Sequence, residues 1–203
     1  HGDNNGLVLP PRIAPTQVII IPVAQHKEGV LEANEAVMNR LKAAGIRARM
    51  DASDQSAGWK FAEYEMKGVP LRLELGPKDM EKNQCVLVRR DSGEKSFVSL
   101  DGIEDTVAAM LDSIHDGLYA KAKKNLEDNT YACSSLEEVR EKMQERGGFA
   151  KTMWCGDEAC EIRMKEEAGV TSRCIPFAQE HLGDVCPICG KPAKHMIYWG
   201  VAY

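Results

Sequence analysis

The sequence predicts an α/β domain followed by a smaller, cysteine-rich α+β domain. Three observations carry the prediction. A β-branched run at residues 17–23 leads into an amphipathic stretch and then a second short strand, the pattern of a βαβ unit. A long helix-periodic segment starts near residue 103. After about residue 128 the segments shorten and Cys, Gly and Pro crowd together, as in small domains that need a staple.

The elements follow in order. Residues 17–23, Gln-Val-Ile-Ile-Ile-Pro-Val, show no alternation, so they predict a strand buried on both faces, as in a parallel sheet. From 28 to 44, Val30, Leu31, Ala33, Val37, Met38 and Leu41 recur at helical spacing, and Gly45 supplies the stop. Residues 46–50 form a second strand. Residues 58–67 predict a short helix ended by Gly68 and Pro70. Leu71-Arg72-Leu73-Glu74-Leu75 alternates, predicting a strand with one wet face. Gly76-Pro77-Lys78-Asp79 reads as a turn. Strands at 85–89 and 96–100 flank a hairpin turn at Asp91-Ser92-Gly93-Glu94. A long helix is expected at 103–126, and a polar hinge at 125–133. Ser135 with Glu138 opens a further helix to Arg146.

Bulk composition excludes some classes. In 203 residues, 43% hydrophobic and 28% charged content is that of a folded globular chain. The net charge is −5, from 26 Lys and Arg against 31 Asp and Glu. There is no overall basic footprint, so any nucleic-acid contact must rest on a local surface. No apolar run approaches the roughly 20 residues that span a bilayer, and the start has no signal-peptide pattern. With seven Cys, an odd number, metal ligation in a reducing compartment is expected rather than a disulfide framework, placing the chain in the cytoplasm. The chain lacks an initiator Met and opens on Gly, Asn and Asp, so it is expected to be a piece of a longer one.

Cys155 and Cys160 are separated by four residues, and Cys186 and Cys189 by two. Two close pairs match a structural zinc site, each knuckle supplying two thiolates to a tetrahedron. Gly156 and Gly190 let the backbone bend beside the sulfurs. Four thiolates leave no open position, so the metal would be structural. Two other readings compete: a Cys186/Cys189 redox pair, and four ordinary buried thiols. Cys174, His181 and His195 are rival ligands. Cys174 begins the apolar run Cys174-Ile175-Pro176-Phe177, which predicts a strand and a core thiol.

Several motifs together resemble one family. The stretch from Gly2 to Pro15 resembles the segment that closes the catalytic domain of prolyl-tRNA synthetases. Trp59-Lys60-Phe61, Glu65-Met66-Lys67-Gly68-Val69-Pro70-Leu71-Arg72 and Gly76-Pro77-Lys78-Asp79 resemble their anticodon-binding domain. The two cysteine pairs, the run at 174–177 and the final Tyr203 are similar to the extra domain of the archaeal and eukaryote-like type. Some members instead have a one-residue gap in the second cysteine pair, and others lack the ligands.

The resemblance implies an organisation: residues 1–16 as the tail of a missing catalytic domain, 17–127 as a class II synthetase anticodon-binding domain with a mixed sheet flanked by helices, and 128–203 as a zinc-binding C-terminal domain. It implies a parent ligase that joins proline to its tRNA using ATP and magnesium, is a homodimer, and binds neither membrane nor DNA. This chain would recognise the anticodon and be inactive alone. Glu65, Arg72, Lys78 and Asp79 align with the positions that read the two guanines of proline anticodons. Their chemistry suits unpaired bases: a carboxylate accepts from guanine N1–H and its amine, and Arg or Lys donates to O6 and N7. Tyr203 is implied to dock its chain end towards the catalytic domain. Two other classes remain: a free-standing RNA- or protein-binding module on the same fold, and a thiol-redox protein.

Overall fold

The computed structural model describes residues 1–202. The chain divides into two units, residues 1–120 and residues from 121 onward, and the division falls inside one long helix.

In the first unit, β1 (Gly2–Asp3) and β2 (Gly6–Leu7) form a small hairpin. β3 (Val18–Pro22) is buried at every position, as an unalternating β-branched run requires. α1 (Val30–Ala43), β4 (Ala48–Met50), α2 (Ala57–Met66), β5 (Leu71–Leu75), α3 (Pro77–Met80), β6 (Gln84–Arg89), β7 (Lys95–Ser99) and α4 (Ile103–Asp128) follow. The sheet order is β4-β3-β5-β6-β7. β3 is parallel to β4 and β5, and β5, β6 and β7 pair antiparallel, so the sheet is mixed.

β4 and β5 lie on opposite sides of β3. Two successive crossovers of one hand then put their helices on opposite faces. α1 and α4 take one face: Val37, Leu41, Val107, Leu111 and Ile114 pack with Leu71, Leu73, Leu75, Cys85 and Leu87 in one core. α2 lies over the other, where its Phe61 ring covers Arg72.

Three expectations need correction. Residues 77–80 are a short helix, not a plain turn. The Asp79 carboxylate accepts the Gly76 N–H at 3.2 Å and so closes the first turn. The outer face of β5 is not wet, because Phe61 covers Arg72 and Lys95 closes on Glu74, leaving Glu74 only 6% exposed. The polar stretch at 125–133 is not a hinge. α4 continues to Asp128 and β8 (Thr130–Ala132) joins a sheet.

The second unit continues with α5 (Leu136–Glu145), β9 (Phe149–Trp154), α6 (Glu158–Ala168), β10 (Thr171–Cys174) and β11 (His195–Gly200). The strand order is β10-β11-β9-β8, with β8 parallel to β9 and the other pairs antiparallel. Ser135 caps α5 by accepting the Glu138 N–H at 3.1 Å. Leu136, Val139, Met143, Ala150, Met164, Ile197 and Trp199 build the core. The buried Trp199 indole donates to Thr152 Oγ1 at 2.9 Å, which satisfies both polar groups.

Candidate nucleic-acid interface and metal centre

Helix α2 is set in place by a buried lysine. Lys60 is 1% exposed. Its Nζ donates to Gln25 Oε1 at 3.2 Å and to the Asp51 carbonyl at 3.0 Å, and lies 3.7 Å from Asp51 Oδ1. The Tyr64 hydroxyl donates to Asp51 Oδ2 at 3.0 Å. Burial raises the Asp51 carboxyl, but hydrogen bonds from Ser53 and Tyr64, with the Lys60 charge, outweigh it and hold the group below its ordinary value. Burial and the bond to Asp51 raise the Tyr64 hydroxyl.

This anchoring presents Phe61 and Glu65 to β5. The Arg72 guanidinium sits 4.1 Å from the centre of the Phe61 ring, a cation–π contact. Its Nε donates to Glu74 Oε1 at 3.0 Å, and Lys95 Nζ lies 3.2 Å from Glu74 Oε2. Glu74 is thus neutralised from two sides. Glu65 accepts from Asn5 Nδ2 at 3.0 Å, and its carbonyl accepts from Arg90 Nε at 2.8 Å. Arg90 also forks onto both Asp3 oxygens at 2.8 and 2.7 Å, a bidentate pair. That guanidinium holds the Asp3 carboxyl well below the carboxylate range. The hairpin thereby lies against the end of α2. A Cβ at Gly68, where φ is +70°, would meet Leu7 at 2.6 Å.

Glu65 and Arg72 line one cleft of about 230 Å³, together with Arg89 and Arg90. Lys78 and Asp79 lie beyond the other end of β5, on α3, on the order of 15 Å along the strand. Lys78 is exposed and Asp79 half-buried. The four aligned residues therefore form two pairs, one at each end of one strand. Asn5, Arg90 and the Phe61 cover were not among the expected site residues. The adjacent Arg89-Arg90 was the available signal, since neighbours in a strand face opposite ways.

In the second unit the four cysteines converge. Their sulfurs all lie within 4.8 Å of one another, with 3.7 Å between Cys155 and Cys160 and between Cys155 and Cys189. A tetrahedral site with zinc–sulfur bonds of about 2.3 Å has edges of about 3.8 Å. All seven cysteines are free thiols. Asp157 caps α6, which carries Cys160, and its carboxylate lies 3.1 Å from Lys191 Nζ beside the second knuckle. Gly156 and Gly190 have φ of +84° and +72°, the left-handed bends expected there. Burial raises the Cys155 and Cys160 thiols, while the Lys191 N–H brings Cys189 down to about 7. Four clustered thiolates need a cation to hold them, so the donor set fits a soft divalent metal.

The rival ligands lie outside the cluster. His181 pairs with Asp184 at 3.3 Å, and His195 is an exposed strand residue opposite Trp154. Cys174 is exposed, not a core thiol, because β10 ends there after a register shift and residues 175–177 form no strand. Cys186 and Cys189 sit inside a loop closed by a Val185–Pro192 bridge. This is not the strand-to-helix turn of a thioredoxin-like pair. Tyr203 lies outside the described residues. Among the described residues no helix is long and apolar enough to cross a membrane.

Comparison with known proteins finds a family match in each unit. Residues 17–110 match the family described as "Anticodon binding domain", and residues 136–203 match "Prolyl-tRNA synthetase, C-terminal". The whole chain is 56% identical to a "Proline--tRNA ligase 2" of Bacillus cereus and 58% identical to a "Proline--tRNA ligase" of Clostridium botulinum. In each case it spans 42% of the relative's length. The chain belongs to the prolyl-tRNA synthetase family, as that family's C-terminal region: an anticodon-binding domain followed by the C-terminal domain.

Proposed function

We propose that this chain reads the anticodon of proline tRNA for a proline–tRNA ligase, and that its second domain is a zinc-stapled support. The reading is carried by the Glu65–Arg72 cleft inside the matched anticodon-binding domain. Single-stranded bases splayed from a loop present donor and acceptor edges. Glu65 accepts from a guanine N1–H and amine. Arg72, held edge-on by Glu74 and backed by Phe61, donates to a base edge or stacks on it. At the other end of β5, Lys78 donates and Asp79 keeps one carboxylate oxygen free of its cap for a second base.

The remaining parts of the reading follow the same family logic. Proline activation with ATP and magnesium, and the parent's dimer contact, belong to the catalytic domain, so this chain alone is inactive. Tyr203 docks towards that domain. Cys155, Cys160, Cys186 and Cys189 hold one zinc, and the protein works in the cytoplasm.

A titration with a proline anticodon stem–loop tests the proposal. Arg72→Ala and Lys78→Ala are each expected to weaken binding by about tenfold or more, with the fold unchanged by circular dichroism. A stem–loop in which both guanines are replaced is expected to bind the wild-type chain as poorly. Equal affinity for both loops would remove the anticodon reading.

A further inference from the structure

One large side chain on the first unit's sheet is left uncovered. Phe97 on β7 is 67% exposed. Strand register places it on the same face as Arg72. Glu74 pairs with Val86 and Val86 with Phe97, forming one row across β5, β6 and β7. The next row runs Arg49, Ile19, Arg72, Val88 and Lys95 across all five strands. Paired residues point to the same side. The opposite face is the one filled by Leu73, Leu87 and their neighbours in the core. Two strand spacings put Phe97 about 10 Å from the line of Glu74 and Arg72.

The surroundings of the ring select its partner. Three of the five residues in the adjoining row are cations, and Glu74 is engaged by both Arg72 and Lys95. A protein interface centres on contiguous apolar surface. Phe97 is instead a single ring on an edge strand, with Lys95 two residues before it on the same face and Arg72 two strands away. That combination of an aromatic face and flanking cations is how sheets hold unpaired nucleotides, with the base stacked on the ring and the phosphate met by the cation.

We propose that Phe97 is a stacking platform for the unpaired RNA base adjoining the two guanines, and that it carries the anticodon site across the sheet to β7. Lys95, beside it, meets that nucleotide's phosphate. The inference rests on the anticodon reading above.

The test uses the full 203-residue chain and two proline anticodon stem–loops. One carries a fluorescent adenine analogue just before the two guanines, the other just after them. Binding is expected to quench one of the two probes. Phe97→Leu, which keeps an apolar side chain but no ring, should abolish that quenching and weaken binding about tenfold, and Phe97→Tyr should restore both. Unquenched probes in both loops, or unchanged affinity in Phe97→Leu, overturn the proposal. So does RNA-free dimerisation that Phe97→Leu abolishes, because the ring would then cover a second copy. The two readings fail separately. If the wild-type chain ignores both loops, the anticodon reading falls and takes the platform with it. If Arg72→Ala weakens binding and Phe97→Leu does not, the platform alone falls.

Discussion

The two units solve the same problem, holding a sheet to its helices, with different means. The first encloses β3 completely and fills one sheet face with side chains from α1 and α4. The second counts three of the clustered cysteines, Cys155, Cys160 and Cys186, in its core, and has one long segment, residues 175–194, whose strand-like pairing within itself is a single bridge. A stretch of that length without regular structure is unusual in a compact domain. Cys186 and Cys189 tie it to the two sulfurs that follow β9. Where backbone pairing is missing, a metal held by those four sulfurs would take its place.

The largest expected effect separates the units. Cys186→Ser should lower bound zinc from one per chain towards none and expose amides after residue 121 to hydrogen exchange, while β3 and β5 stay protected. Equal loss in both units would show that they do not differ in this way. Next, Leu73→Ala removes a fully buried side chain from the first core. It is expected to cost about 2–5 kcal/mol by chemical denaturation, with zinc content unchanged.

A smaller effect is expected from Lys60→Met, which leaves the Gln25 and Asp51 acceptors unsatisfied. About 1–3 kcal/mol should be lost, again by denaturation. It should also weaken stem–loop binding, because Phe61 and Glu65 depend on where α2 sits. The smallest is local and set by pH. The Asp3 carboxyl is lowered in the fold, so its contribution is complete above the ordinary value of 3.8 and is lost as pH falls below it. NMR signals of residues 2–8 should shift in that acid window. In Arg90→Gln they should move at a higher pH.

Much of this was legible in sequence. The run at 17–23 gave a wholly buried strand because β-branched residues without alternation have no wet face. Ser135 announced the start of α5, and the spacing of the four cysteines gave the cluster. The rest depended on partners far away in the chain. Arg90 and Asp3 are 87 residues apart, and no local pattern links them. Arg72 looked solvent-facing because alternation cannot reveal that Phe61 comes from another element to cover it. Residues 125–133 looked like a hinge because they are mostly polar. Their charges instead pair along the helix, Lys123 with Glu127 and Lys124 with Asp128. Cys174 looked like a core thiol from its apolar neighbours, but the register shift in β10 turns that run outward.

The amide of Asn5 already donates to one oxygen of the Glu65 carboxylate, Oε1. On the proposed reading, an arriving guanine would meet a carboxylate that Asn5 already orients and that still has acceptor capacity. A base with an acceptor in that place would set two acceptors against each other. On the proposed reading, the seam between the opening hairpin and α2 would thus hold the carboxylate ready for a donor edge and penalise an acceptor edge.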